Sequence, residues 1–519
     1  MKNKSTQHIK NFGFVFLGIF FLLFSNAIKA QVKKEKQKKI QLIHANSLEY
    51  DKKLGEGVKR LIGNVAFKDS NVVMNCDSAY FFANDSLNAF GNIHVQQGDS
   101  INLYGNILFY DGVSKKAEVK GKVRFTEKDM MLTTDFLNYD MKKSVANYSN
   151  GGKIVDKENT LTSLLGYYYS ATKELAFEKN VVLVNPQYTM KSDTLHYNTL
   201  SKTAYFFGPT TIKSKENSIY CENGWYDTKT NFSQYNKHAF IITKQQKMMG
   251  DSIFYDRNKG FGKAIKNVHI IDSVQNINVS GDYAEYYGKQ DSSFVTGHAL
   301  LMQTYSKDTL FLHADTLRAV TETNKKSPND SLSHSKKIFA FHHVQFYKSD
   351  IQGKCDSMVY SATDSIMRFF HDPILWSDKS QLTADTIFVT VGNKEIKSLQ
   401  LFSNSFIISQ EDSVRFNQIK GKHMNGVFVK NKLYKIHVIG NGQTIYYAKD
   451  DQKSIGVNKA DCSSMIIFMN KNKVTNITFI TKPDATLYPF KDANPKDMIL
   501  RNFTWRNSER PLSEQDIFR

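Results

Sequence analysis

Apolar and polar side chains alternate in short runs along most of this 519-residue chain. In Leu132-Thr133-Thr134 and Met190-Lys191-Ser192 the apolar and small residues stand two apart, the spacing of one face of a strand. Few segments beyond the first thirty residues carry a helical spacing, and Tyr, Phe, Val, Ile and Thr are abundant. The pattern predicts a chain that is overwhelmingly β.

The runs recur. Tyr110, Tyr139, Tyr168, Tyr197, Tyr226 and Tyr255 form a ladder with a constant step of 29, and Phe81 stands one step earlier. Asp77, Asp135, Asp193 and Asp251 precede an aromatic of this ladder by four residues and are spaced by 58. Three positions before each Asp the side chain is apolar (Met74, Leu132, Met190, Met248), and one before it is small (Cys76, Thr134, Ser192, Gly250). The apolar positions resume two and four after it. Those two sets share a face only if the strand bends at the Asp, whose carboxylate can accept nearby backbone N–H groups in a bend or bulge. Each unit then closes on a Gly-Asn-Val type turn, as in Gly63-Asn64-Val65, Gly91-Asn92-Ile93 and Gly121-Lys122-Val123. A unit with one apolar face is buried only by stacking on its neighbours, so the pattern predicts an elongated repeat array. A parallel β-helix is the other architecture that such a period allows. The inward set is Met74, Phe81, Leu132, Tyr139, Met190, Leu195, Tyr197, Met248, Ile253 and Tyr255. An inner face not filled by its own side chains would be a lipid trough, and flexible methionines suit variable acyl chains, although ordinary core packing explains them as readily.

Lys2, Lys4 and Lys10 precede a run of 13 mainly apolar residues, Phe12 to Phe24, followed by a small-residue exit near Ala27 or Ala30. This reads as a cleaved secretory signal over 1–30, too short to span a bilayer. Its four lysines account for part of the net charge of +19, and +15 remains without them. A basic exported chain can meet anionic lipid head groups or acidic glycans, and export argues against nucleic acid as a partner. The expected organisation continues with a basic arm over 31–40, repeats over 41–320, a polar loop insertion over 321–337, degenerate repeats over 338–485 and a tail over 486–519 that either caps the array or binds a partner.

Candidate chemistry is sparse. Cys76, Cys221 and Cys355 occupy the same small position of distant repeats, and Cys462 follows its Asp. Repeats at roughly 4.8 Å per strand would hold them far beyond the ~7 Å reach of a disulfide, so free buried thiols are expected. One Asp per repeat is turn chemistry before it is a catalytic pair or a calcium site, and the Gly-Gly-x-Gly-x-Asp runs of calcium-binding coils are missing. His342-His343 has no second ligand cluster at recognisable spacing. No Gly-x-Ser-x-Gly, His-Glu-x-x-His or phosphate-cradling loop occurs. The sequence argues against an enzyme and implies no cofactor and no metal.

The phrase apolar-x-small-Asp-small-apolar-x-Tyr-Asp, read in Leu132 to Asp140 and Met190 to Asn198 and followed by Gly-Asn-Val, resembles the OstA-like (LptA-like) domain of periplasmic lipopolysaccharide-transport proteins. The resemblance is strongest from His44 to Tyr287. It implies a twisted open β-jellyroll whose apolar interior receives the acyl chains of lipopolysaccharide or a related glycolipid. It further implies a non-catalytic bridge in the periplasm, joined through inner-membrane and outer-membrane transport components, with head-to-tail self-association through exposed strand edges. A filled structural or adhesive scaffold and a β-helix polysaccharide-active enzyme are the competing readings.

Overall fold

The computed structural model describes residues 40–519 apart from 51–52, 54, 70, 100, 128, 216, 244–245, 274–275, 306–307, 325–332, 393–394, 431, 451–452 and 471–472. The expected signal and nearly all of the basic arm lie outside the described residues. The chain forms two compact units, one of residues up to 244 with Gly250–Asn258 and one of residues from 259 onward with Gln245–Met249. Both are built of β-strands, and the tail carries two short 3-10 turns, Asn507–Glu509 and Asp516–Phe518. Every ladder among the described residues is antiparallel, for instance Lys116–Glu127 with Met130–Asp140 and Thr309–Asn324 with Ser333–Lys348. Antiparallel pairing excludes the parallel β-helix, which stacks parallel coils. One step of 29 is therefore a hairpin of two strands.

In the first unit the Tyr-Asp pairs stand where hairpins turn. Asp111 accepts the N–H groups of Val113 (2.9 Å) and Ser114 (3.3 Å), and Lys115 returns its N–H to the Asp111 carbonyl at 2.9 Å. The residue that re-enters the strand is left-handed at Lys115, Ser144, Lys173, Lys202 and Asn231, again 29 apart. The Gly-Asn pairs do something else: they do not close units but lie in the middle of strands. The ladder slips between Phe90 and Ile93 on one strand, where Gly91 (φ 72°) and Asn92 (φ 45°) are both left-handed, and between Asn75 and Ser78 on its partner. The same pair of left-handed residues occurs at Gly121-Lys122 and Lys179-Asn180.

This bulge folds each strand into two arms. The burial of Met130–Asp140 shows the result: Met130, Leu132, Thr134, Leu137 and Tyr139 are buried, with the phase slipping once around Asp135. The sequence suggested backbone N–H groups as partners of the corner aspartate, and the partners seen at Asp77, Asp282, Asp315 and Asp385 are side chains. The Asp77 carboxylate accepts from the Asn92 side chain at 2.9 Å. In the second unit His298 meets Asp282 (2.8 Å), His343 meets Asp315 (2.9 Å) and Asn404 donates to Asp385 (3.0 Å). The corner position itself recurs every 29 residues, although Asp recurs every 58. Asn106, against Gly121, and Glu222, 3.0 Å from His238, occupy the alternate steps.

The segment expected as a polar insertion runs largely in the long strands Thr309–Asn324 and Ser333–Lys348, paired from Thr321↔Lys336 to Asn324↔Ser333. Its residues 325–332 lie outside the described residues. The tail does not cap an open end. After the strand Asp484–Pro489 it crosses back over the outside of the second unit. Phe346 and Phe369 meet across the interior at 5.8 Å, so the neighbouring Gln345 points outward. By the same alternation Gln352, Trp376, Gln381 and Gln418 point outward, while Gly353, Leu375 and Leu382 point in. The tail lies on this outward row.

A Cβ at Gly91 would come within 2.2 Å of the Asp77 carboxylate and would hold a left-handed backbone. Gly91→Ala is therefore expected to lower the stability of the first unit by about 1–3 kcal/mol, read as a fall in urea midpoint at constant slope. Gly98→Ala, at a left-handed hairpin position with nothing within 4 Å, should cost less. Equal effects would show that the corner contact is dispensable.

Candidate lipid trough

Folding each strand at its corner brings two apolar arms face to face in the first unit. Phe67, Met74, Val95, Leu103 and Phe125 come from one set of arms, and Leu87, Leu108, Tyr110, Val119, Leu137 and Tyr139 from the other. Between them lies an open cleft of about 140 Å³, with Ile40 and Met141 also on its wall. A smaller cavity of about 30 Å³ is lined by Leu132, Tyr148, Ile154, Tyr168, Leu175 and Phe177 among others. Both are lined by Phe125 and Leu137, so the apolar surface is continuous from one to the other. The phenols inside stay neutral, because burial pushes Tyr148 and Tyr168 up to about 12 and Tyr139 upward. Tyr148 also shares a 2.6 Å hydrogen bond with Ser163, which satisfies its hydroxyl away from water.

Glu127 is buried near Tyr168 of the smaller cavity, and lysines gather at the rim. Lys68 and Asp69 stand at one lip of the cleft. The hairpins beside Tyr110 and Tyr139 carry Lys115, Lys116, Lys142 and Lys143 at the other. Lys115 lies 6.0 Å from the Tyr110 ring centre and Lys142 donates to the Val113 carbonyl at 3.2 Å. An apolar floor with a cationic lip can take a molecule that has acyl chains at one end and anionic groups at the other.

The structure gathers some of the sequence-derived set and disperses the rest. Met74 and Tyr139 line the larger cleft and Leu132 the smaller cavity. Phe81 is half-buried and packs on Phe67 at 5.9 Å. Met190, Leu195 and Tyr197 are buried farther along the same unit, outside these two cavities. Ile253 is buried, and Tyr255, on the same side by alternation, stands one residue from the strand end with its ring exposed. Met248 is half-buried and belongs to the second unit. Sequence reasoning missed Phe67, Val95, Leu103, Val119 and Phe125. These lie on strands without the Asp motif, and a signal was present in Ile93-His94-Val95 and Val123-Arg124-Phe125, where apolar residues stand two apart after the Gly-Asn or Gly-Lys pair.

All four cysteines are free and buried. Burial pushes the thiol of Cys76 up to about 11 and those of Cys221 and Cys355 up to about 12, from an ordinary 9.0. Among the described residues no cluster of three or more His, Cys, Asp or Glu side chains could hold a metal.

Residues 37–193 and 189–251 match the family described as OstA-like protein. No curated protein matches the sequence. Among solved structures, the chain is similar at 10% identity to LptH, the LptA-homologous periplasmic component of the lipopolysaccharide transport device of Pseudomonas aeruginosa. That match covers 27% of this chain and 99% of LptH, with a TM-score of 0.21.

The raised thiol and phenol values fix a sign. The fold favours the neutral forms, so this contribution to stability is complete below the unfolded thiol value of 9.0 and is lost as pH climbs toward about 12. Urea midpoints should be flat from about pH 7 to 8.5 and fall above about 9. A midpoint that holds level to pH 12 would contradict the burial of these groups.

Proposed function

Starting from an OstA-like region over residues 37–251, we propose that this chain is a non-catalytic lipid carrier of the cell envelope. Its cargo is lipopolysaccharide or a related glycolipid, passed toward the outer membrane with the acyl chains in the trough. The observation that carries this reading is the open apolar cleft between the two arms, floored by Met74, Leu108 and Val119. The arms touch at Phe67–Phe81 (5.9 Å) and stand apart beside that contact, where the cleft opens. Burying acyl chains there gains about 0.8 kcal/mol per CH₂, so even a partly seated chain holds the lipid without polar contacts. The lysines of the Asp111–Lys115 and Asp140–Ser144 turns face the phosphates.

The same reading accounts for the exposed edge of the first unit. The strands Gln41–His44 and Ser47–Tyr50 both pair with Lys59–Asp69, and the described residues leave their other side unpaired. Leu42, Ile43, Leu48 and Tyr50 are exposed on them. Such an edge accepts another strand, which supports end-to-end joining in the periplasm with a transport component or a second copy. The scaffold reading keeps in its favour the contacts that close the interior locally, Phe346–Phe369 in the second unit and Phe67–Phe81 in the first. The polysaccharide-active β-helix falls with the antiparallel ladders.

Photoreactive residues placed singly at Met74, Val95 and Tyr139 in cells should yield lipopolysaccharide-bearing adducts, while the outward Asn75 and Lys191 should not. Folded protein with no lipid adduct at any inward position would return the chain to the scaffold reading.

A further inference from the structure

The outward face of the second unit is an arrangement for gripping main chain. The Gln418 amide donates to the Met498 carbonyl at 2.9 Å and accepts the Leu500 N–H at 2.8 Å. Six residues later Gln381 repeats this, donating to the Thr504 carbonyl at 2.8 Å and accepting the Arg506 N–H at 2.7 Å. Each glutamine side chain thus reproduces the two hydrogen bonds that a neighbouring strand would make to residues two apart. Lys420 adds a 2.8 Å bond to the Arg501 carbonyl, and Gln345 donates to the Arg519 carbonyl at 2.7 Å.

Side-chain seats alternate with these main-chain grips. Met498 and Leu500 enter an apolar cluster with Phe406, Ile408, Ile445 and Val457. Phe416 packs on Phe503 at 5.3 Å and on Trp505 at 5.2 Å. Arg506 forms two bonds to Asp372 (2.9 and 2.8 Å), Arg510 binds Gln352 and the Asp378 carbonyl (2.8 and 2.7 Å), and Glu509 meets Lys354 at 2.9 Å. Trp376 lies fully buried on the same outward row, between Gln352 and Gln381 in register, and its Nε1 has no partner among the described residues. The glutamines themselves are buried, Gln381 and Gln418 at 1% exposure, which only a covering segment allows on an outward face.

We propose that this face is a peptide-binding groove whose resident ligand is the chain's own C-terminal segment, residues 492–519. The ligand class is a segment of short extended stretches separated by turns, with apolar residues two apart, an aromatic pair and the seated arginines Arg506 and Arg510. Two-point amide grips and separate side-chain seats are the means by which folded proteins hold peptides in trans, so the tail is seated as a ligand is. The site is independent of the lipid trough and of the function proposed for it.

The test uses the full chain with a specific protease site inserted between the exposed residues Lys491 and Asp492. After cleavage, a fluorescent peptide of residues 492–519 is added and its anisotropy followed, with circular dichroism as the check on folding. The expected result is saturable exchange of labelled for resident tail, no uptake of a scrambled peptide, and affinity reduced about tenfold or more in Gln381→Ala/Gln418→Ala, since four hydrogen bonds are removed. Equal uptake of the scrambled peptide, a cut tail that exchanges only on global unfolding, or loss of the β signal on cutting would each overturn the groove and make the tail an integral part of the core.

Discussion

The long strands among the described residues are folded in two by a corner at which a pair of left-handed residues on one strand faces a polar side chain on the next, and the trough, the lips and the outward face all follow from that bend. A straight strand of eleven residues alternates its side chains between two faces and buries half of them. The bulge at Gly91-Asn92 resets the phase, so that both arms turn their apolar side toward the same interior. A non-glycine residue in the left-handed region costs about 1–2 kcal/mol, one at Gly91-Asn92 and two at Lys179-Asn180. The second arm offsets this by burying two more apolar side chains at about 1.5–3 kcal/mol apiece. Asn lowers the cost of the bend because its short amide tolerates the conformation and donates to the corner carboxylate, as Asn92 does to Asp77.

What the two arms enclose depends on the side chains between the corners and the tips. In the first unit Met74, Leu108 and Val119 leave a cleft, and the buried phenols remain uncharged within it. In the second unit Phe346 reaches Phe369 across the interior. The second unit also carries a further layer that the first unit's repeats do not prepare for. Its outward face, which a repeat exposed to water would make polar, holds Phe406, Ile408, Ile445 and Trp376 beneath the tail.

The corner carboxylates show how a repeated residue can be informative without being chemical. They are exposed, and the partners seen are Asn, His or neighbouring hydroxyl side chains: Asp282 and His298 are both well over half exposed. Exposed pairs of this kind are worth little as ion pairs. Their value is geometric, in holding the register of the bend where the ladder's own hydrogen bonds are interrupted.

The 29-residue step, the alternation around it and the phase slip at each Asp are local properties, and they were enough to establish an all-β repeat array with an apolar inner face. They were enough because period and phase are set by neighbours within a few residues of one another. Which local device makes the bend was not legible, since Gly-Asn is as good a hairpin turn as it is a mid-strand bulge until the partner strand is known. The same holds for Tyr255: its parity is that of Ile253, but its exposure depends on its distance from the lip. The tail was the least legible part. Nothing near Met498 or Thr504 indicates that Gln418 and Gln381, about eighty and more than one hundred residues away, will hydrogen-bond their main chain, because an amide grip that reads backbone leaves no pattern in the side chains it holds. Composition and period determined the strands and their inward faces; only the packing of distant segments decided where the interior stays open and which outward face is covered.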